Sequence, residues 1–468
     1  MAWEIVFAEP NYYELQKHYF DADGKEGLAF GLFGESLSES CQQLLEHEVI
    51  LVPPKHLAVQ SPFALVLEDR FARSILRRAD EMRLTLAEMH SHPGADRSVS
   101  FSPTDWENAR EKAAWIARNI PHIGYASVVF GLRSFAAYVW DKTTGKAMPV
   151  ERLKIIGQRY RCLPAQSSRP RSGWRQSLGR FIAHLRKLHE PRPGEEEWLD
   201  RQIRAFGEEG QWAISGLHVG IVGCGGTGSA VAQMLVHSGV SRFVLVDPDT
   251  VERTNLNRLW GATEADAQAR LPKVEMLASE LCRTNPRADI TPLDVPVQSA
   301  KALNHLKRVD VLFGCTDTEG SKLVLTRLAV QYLIPFFDCG CGLAAHAEVG
   351  FRAHESGGQV RVVVPGGPCL ECIDGIDREQ ARYDLLDARD RARADRLGYG
   401  LGSAAPAPAA MFLNMTIAAL AVAEFFSLVT GFRPLNSYVY HHLSRATVTP
   451  LRVKRRPSCV LCLSLIHI

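Results

Sequence analysis

The 468-residue sequence predicts an α/β protein of two domains, the second built on a doubly wound parallel sheet. Three observations carry this expectation. From residue 217 onward short apolar strands alternate with helical stretches, the pattern that produces parallel sheets. A glycine-rich "GCGGTG" (223–228) stands between one such strand and the helix that follows. Between about 163 and 198 Pro, Arg and Ser crowd together, as they do in interdomain linkers.

The totals bound the rest. Lys and Arg number 54 against 52 Asp and Glu, a formal net charge of +2, so no nucleic acid or other polyanion is expected as a partner. The apolar stretches read as interrupted by charge throughout, none reaching the ~18 uncharged residues of a membrane span. The N-terminal "MAWEIVFAEP" lacks the basic-then-apolar pattern of a secretory signal, so a soluble, cytoplasmic protein is expected. Four of the 11 cysteines fall in two Cys-x-x-Cys pairs, which in such a chain favours metal over disulfides.

Residues 1–160 form the first expected domain, with strand-like "FALVLED", "YASVVFGL" and "FAAYVWD" and a helix from Asp105 to Asn119. Its informative stretch is "EMHSHPGADRSVSFSPTD" (88–105). His90 and His92 are one residue apart, so in extended backbone their imidazoles point to the same side. Ser102 fits a helix N-cap, Pro103 the first helical position, and Asp105 the third, from which it reaches back to the cap. A capping box alone explains "SPTD", and a single His-x-His is weak. Together, a strand ending in His-Ser-His and a helix start carrying Asp offer three zinc ligands with one position open to water. That is the layout of a hydrolytic site rather than a structural one.

Residues 161–196 are the expected linker, with a short basic helix in its middle, and 197–468 the second domain. There "LHVGIVG", "RFVLVD", "ADITPLDVPV" and "VDVLFGCTD" read as successive strands. Gly223, Gly225 and Gly228 satisfy Gly-x-Gly-x-x-Gly, with Gly226 inside the loop, and backbone amides at such a helix start suit phosphate. Asp247, after the second strand, fits a ribose. A dehydrogenase would share this much. Cys369-Leu-Glu-Cys372 and Cys459-Val-Leu-Cys462 predict a closed, structural tetrahedral zinc site. Cys339 and Cys341 in "FDCGCGL" read as small core residues in preference to redox-active or nucleophilic thiols. The charged stretch after Cys372 reads as a helical excursion or crossover loop.

The series His90-Ser91-His92-Pro93 followed by Ser102-x-x-Asp105 resembles the JAMM motif of MPN-type metalloproteases, with a gap two residues longer than is usual there. That family needs an upstream glutamate, and "GKEGLAFGLFGES" supplies Glu26, with Glu35 as the alternative. The resemblance implies an MPN-type α/β domain with catalytic Zn2+ on His90, His92 and Asp105. Glu26 would take a proton from water and return it to the departing amine, and Ser102 would steady the oxyanion. It also implies cleavage of a peptide or isopeptide bond after the C-terminal glycine of a ubiquitin-like protein, or trimming of a sulfur carrier.

Over about 197–380 the chain resembles the Rossmann-like adenylation fold of ThiF, MoeB and ubiquitin-activating enzymes. "DPDTVERTNLNRLW" carries Asp247, Asp249, Asn255, Asn257 and Arg258, "LPKVEMLASEL" carries Lys273, and Asp317 ends a strand. The resemblance implies ATP and Mg2+, with Arg258 and Lys273 on phosphates, Asn255 close to them, Asp247 and Asp249 at the nucleotide, and Asp317 on magnesium. Cations against the triphosphate and a carboxylate for the metal are what adenylation requires. Arg201 matches an arginine that reaches into the neighbouring subunit's site, implying a homodimer.

Ubiquitin-activating enzymes add a thioester cysteine after the first zinc pair, and residues 373–412 contain none. Ser403 falls near that position and is read as a loop serine before an oxyester acceptor, so activation is expected to stop at the acyl-adenylate. The expected whole is a bifunctional enzyme of a bacterial ubiquitin-like pathway, with a conjugating-enzyme partner and antiviral defence as its setting. The alternatives are activation and trimming of a sulfur carrier in cofactor or cysteine biosynthesis, and a binding scaffold with one inactive domain. The terminal "LSLIHI" fits poorly after the second cysteine pair and reads as a translated sequencing adapter.

Overall fold

Strands with apolar residues on both faces build the first of two compact units, which lies within Met1–Gln176, the second lying within Ser177–Leu465. The computed structural model describes residues 2–20, 24–38, 41–61, 65–165, 195–346, 350–396 and 408–464.

In chain order the first unit's strands are β1 (Ala2–Ala8), β2 (Leu28–Leu37), β3 (Cys41–Leu51), β4 (Leu57–Gln60), β5 (Leu65–Leu67), β6 (Thr85–Ser91), β7 (Tyr125–Phe130), β8 (Phe135–Trp140), β9 (Ala147–Ile156) and β10 (Tyr160–Pro164). The main sheet runs β1-β3-β2-β6-β7-β8-β9-β10, and β9 also pairs with β1, so the sheet closes on itself; β4 and β5 form a separate hairpin. Alternation along β2 shows how the two cores arise. Ala29 and Phe33 join Ile5, Phe7 and the helix Glu9–Phe20 (Tyr12, Leu15, Tyr19) on one face. Leu28, Phe30 and Leu32 pack on the other against the helices Asp69–Met82 and Pro103–Asn119.

Glu46 on β3 is buried and accepts hydrogen bonds from Ala8 N (2.7 Å) and Asn11 Nδ2. Burial pushes its carboxyl up to about 7, with Asn11 and Ala8 pulling the other way. Its pKa in the folded protein lies above that in the unfolded chain. The stability it contributes is therefore complete below about 4.5 and lost as pH rises through about 7. Glu46→Gln is expected to flatten the fall in Tm between pH 5 and pH 8, removing up to ~3 kcal/mol of linkage. Melting curves at the two pH values check this, and parallel losses in both proteins would contradict it.

The second unit holds β11 (His218–Val222), β12 (Arg242–Val246), β13 (Asp289–Leu293), β14 (Val311–Gly314), β15 (Phe336–His346), β16 (Gly350–Val363), β17 (Tyr438–His442) and β18 (Thr447–Pro450). Their order is β13-β12-β11-β14-β15-β16-β17-β18, parallel from β13 to β15 and antiparallel beyond. The chain moves outward from β11 to β13, then returns to β14. That places a topological switch point, where such sheets bind ligands, beyond the carboxyl ends of β11 and β14.

Four expectations need correction. Tyr160–Pro164 pairs with β9 across a tight turn, so the first residues assigned to the linker belong to the sheet; its basic middle lies outside the described residues. In "FALVLED", whose first two residues lie outside the described residues, the strand is Leu65–Leu67 and ends there because Asp69 opens a helix. "ADITPLDVPV" contributes only Asp289–Leu293, the length that pairs with β12. Finally, 397–423 holds no Asp, Glu, Lys or Arg. Within it begins the helix Met411–Thr430, long and apolar enough by composition to span a membrane, yet 67% of its apolar stretch is buried in the protein. Phe425 packs on Phe313 and Phe337 of the sheet, so the helix is apolar because it serves as core.

Candidate active sites

The end of β6 organises the first site. Alternation puts Leu86, Glu88 and His90 on the face that meets the helix Pro103–Asn119, where Lys112 binds Glu88 at 2.7 Å. Ser91, on the opposite face, accepts from Gly27 N (2.9 Å) and donates its own N–H to Gly27 O (3.1 Å). This tie brings the segment before β2, and with it Glu26, to the strand end. Glu26 is fixed from the other side by the β4–β5 hairpin segment, through Glu26 N to Ser61 O (3.3 Å) and Gln60 Nε2 to Glu26 O (3.0 Å). His92 is set by its N–H to Phe130 O at 2.8 Å.

Asp105 arrives on a capping box: Ser102 Oγ accepts from Asp105 N (3.1 Å), and Asp105 Oδ2 accepts from Ser102 N (2.8 Å). The Oδ2 atom lies 3.6 Å from His90 Nε2 and 3.4 Å from His92 Nε2, and Glu26 Oε1 lies 3.8 Å from His92 Nε2. One donor atom from each of His90, His92 and Asp105 falls within 4.8 Å of the others. His90 Nε2 is buried without a hydrogen-bond partner. An orphaned imidazole nitrogen facing a second imidazole and a carboxylate is what a bound cation would satisfy. Burial raises the Glu26 carboxyl while both imidazoles pull it back. Burial also opposes ionisation of Asp105, yet His90 and His92 hold it well below the usual carboxylate range.

Glu35 is not part of this cluster: it sits toward the far end of β2 with Thr85 Oγ1 and Lys142 (3.8 Å). The loop after His92 is anchored by Asp96, which takes Arg133 Nε at 2.7 Å on the β7–β8 turn, so the long gap is a pinned loop.

The second site lies at the switch point. Gly223 has φ +87°, and a Cβ there would come within 2.5 Å of Cys315 O. A Cβ on Gly228 would stand 1.8 Å from Gly223 O, whereas at Gly225 it would meet nothing within 4 Å. Gly228 therefore lets the helix Gly226–His237 pack on its own loop, and Gly225 keeps the outer side open. Gly228→Ala is expected to cost about 1–3 kcal/mol as overpacking against backbone, while Gly225→Ala costs little, a contrast that thermal melts read directly.

Asp247 is buried, with Oδ2 accepting from Cys224 N (2.6 Å) and Oδ1 from Asp249 N (2.9 Å). It braces the glycine loop, and burial raises its carboxyl against the pull of Lys273. Lys273 Nζ pairs with Asp249 Oδ2 at 2.7 Å. Arg258 Nη1 donates to Thr254 O (2.7 Å) and Asn257 Oδ1 (3.0 Å), and Asn255 Oδ1 accepts from Glu252 N (3.1 Å). Those two side chains are thus engaged within their own segment. Asp317 is exposed just past β14 and Arg201 is exposed on the helix Glu195–Ser215. No hydrogen bond or ion pair among the described residues joins either to the loop. Ser403 lies outside the described residues.

The sequence reading missed a polar cluster beneath the loop. Asn414 Nδ2 donates to Thr227 Oγ1 (2.9 Å) and to Cys341 Sγ (3.1 Å), and Gly226 leaves room for the Asn414 carboxamide. Asn414 lies almost 190 residues downstream of Thr227, so no local pattern signals the contact.

Cys369, Cys372, Cys459 and Cys462 converge, buried, with Sγ separations of 3.7 Å (369–372), 3.5 Å (369–459) and 3.6 Å (372–462). Tetrahedral coordination at ~2.3 Å per sulfur gives edges of about 3.8 Å, which these separations approach. The contact with Cys369 and the Arg455 Nε hydrogen bond (3.4 Å) pull the Cys462 thiol down, while the same contact and burial push the Cys369 thiol up.

A parallel sheet whose first strand feeds a glycine loop, with a buried aspartate closing on that loop, defines a Rossmann-like α/β domain. The ThiF family model matches residues 199–461, more than half of the sequence, and the chain belongs to the ThiF family. Molybdopterin-synthase adenylyltransferase of Escherichia coli (strain K12) is 33% identical over 186 residues, 39% of this chain and 69% of that protein. Sulfur carrier protein ThiS adenylyltransferase of Bacillus subtilis (strain 168) is 31% identical over 169 residues, 36% of this chain and 47% of that protein. The crystal structure of E. coli MccB with ATP is 18% identical, covers 62% of this chain and 82% of that one, and has a TM-score of 0.44.

Proposed function

We propose that the chain is a bifunctional enzyme. Its second unit adenylates the C-terminal glycine of a ubiquitin-like or sulfur-carrier protein with ATP, and its first hydrolyses the bond after that glycine. The observation that carries this reading is the presence, in one chain, of a ThiF-family domain and the Glu26–His90–His92–Asp105 cluster. The two relatives above are named as adenylyltransferases, one for molybdopterin synthase and one for the carrier ThiS, which favours a small protein as substrate.

In the second unit the loop amides at Gly225–Gly228 receive phosphate at the helix start. Lys273 and Arg258 exchange their present partners for phosphate oxygens as the carboxylate attacks the α-phosphate. Magnesium near Asp317 would supply further charge neutralisation. In the first unit zinc held by His90, His92 and Asp105 would supply Lewis acidity toward water and the scissile carbonyl. Glu26 accepts the water proton and delivers it to the leaving amine, and Ser102, whose oxygen already serves as the cap acceptor, offers its hydroxyl proton to the oxyanion. The four cysteines would hold a second, structural zinc. The reading extends to a cytoplasmic homodimer in which Arg201 serves the neighbouring site, with a conjugating enzyme as recipient in a ubiquitin-like pathway of bacterial defence. Sulfur-carrier activation is the second reading, favoured by the relatives' names and by the absence of cysteine from 373–412.

The test pairs two assays on the full chain. Wild type is expected to show ATP–pyrophosphate exchange that depends on a ubiquitin-like protein ending in glycine, and to cleave a linear fusion after that residue. Exchange without cleavage across carriers and fusions would leave the adenylation half alone.

A further inference from the structure

Cys341 occupies an unusual place for a core residue. The last residue of β14, Gly314, pairs with Asp338, and β15 runs on past it to His346. Cys341 is therefore carried beyond the carboxyl ends of the parallel strands, to the side where the glycine loop lies. Its Sγ is 3.6 Å from Thr227 Oγ1, inside that loop, and 3.1 Å from Asn414 Nδ2. The residue is only partly buried, whereas Cys339, two positions earlier, is buried. Asn414 is 6% exposed, and its Oδ1 is buried with no hydrogen-bond partner at the start of the helix Gly226–His237. An unpaired acceptor at a helix start beside a thiol marks a place prepared for another group.

We propose that Cys341 accepts the activated acyl group, forming a thioester inside the adenylation site itself. The inference rests on the adenylation reading above and names the acceptor that residues 373–412 lack. The Cys341 sulfur attacks the acyl carbonyl of the adenylate, the S–C bond forms, the acyl C–O bond to phosphate breaks, and AMP leaves. The thiol proton departs with the phosphate or to solvent, and nothing is oxidised or reduced. Thr227 and Asn414 are positioning residues: they aim the sulfur and donate to it as negative charge grows on it. Because Cys341 lies beside the phosphate loop, the transfer needs no distant cysteine to swing in.

The experiment bypasses the protein substrate by supplying synthetic N-acetylglycylglycyl adenylate to the full-length protein. Intact-mass spectrometry is expected to show one acyl adduct, released by dithiothreitol and mapped to Cys341. Cys341→Ala is expected to lose it and Cys339→Ala to keep it, while Cys341→Ser converts it to a dithiothreitol-resistant ester. ATP formed from the same adenylate and added pyrophosphate reports the adenylation reading separately. ATP formation by wild type without an adduct, or an adduct that persists in Cys341→Ala, overturns the assignment of Cys341. Neither ATP nor adduct overturns the adenylation reading and this one with it.

Discussion

His92→Ala is expected to abolish hydrolysis after the C-terminal glycine while leaving ATP–pyrophosphate exchange unchanged, and to remove one of two metal equivalents. His92 Nε2 lies 3.4 Å from Asp105 Oδ2 and 3.8 Å from Glu26 Oε1, so its loss takes away a ligand and the neighbour of the base together. Glu26→Gln separates these roles: it should keep the metal and lose about 10²- to 10⁴-fold in rate, the usual contribution of a positioned base. Metal analysis with both assays checks the pair. Cleavage surviving in His92→Ala would remove the first unit from the catalytic account. Loss of exchange in the same variant would indicate damage to the fold.

Cys369→Ser is expected to have the largest effect on stability. Four-sulfur zinc sites in small domains bind with ~10–16 kcal/mol, comparable to the ~5–15 kcal/mol that holds a whole domain folded. Here the cluster ties residues 369–372, at the end of the sheet, to residues 459–462, and its sulfurs sit in the same core as Leu370, Ile376 and Leu461. The variant, or wild type stripped by a strong chelator, should lose its cooperative melting transition in the second unit and its pyrophosphate exchange. An unchanged melt in metal-free protein would show the cluster to be a packed thiol core.

Local patterns made much of both sites readable. The Ser102–Asp105 box, the His-x-His strand end and the glycine loop are written in consecutive residues, and each forms as its spacing demands. The cluster of the two Cys-x-x-Cys pairs was legible for the same reason, since each pair sets two thiols close together in the chain. What could not be read depends on distant chain. That Glu26 and not Glu35 joins the cluster depends on a backbone tie from Gly27 to Ser91, while in the sequence Glu26 precedes and Glu35 lies toward the end of the same apolar strand. The closure of the first sheet through β1 and β9 joins residues about 150 apart. The core role of Met411–Thr430 is invisible to composition, because a membrane helix and a buried helix are equally apolar.

The oxygen at the heart of the first site has two claimants. Asp105 Oδ2 receives the Ser102 amide, which closes the first turn of the helix Pro103–Asn119, and it is the same atom that faces both imidazoles. Whatever a cation draws from that oxygen it draws from the helix start, and whatever tightens the helix start returns to the cation's affinity, because such coupling is reciprocal. With the proposed cation bound, the first turn of that helix would become a gauge of occupancy, and mutations along the helix would tune the hold on the cation without touching His90, His92 or Asp105.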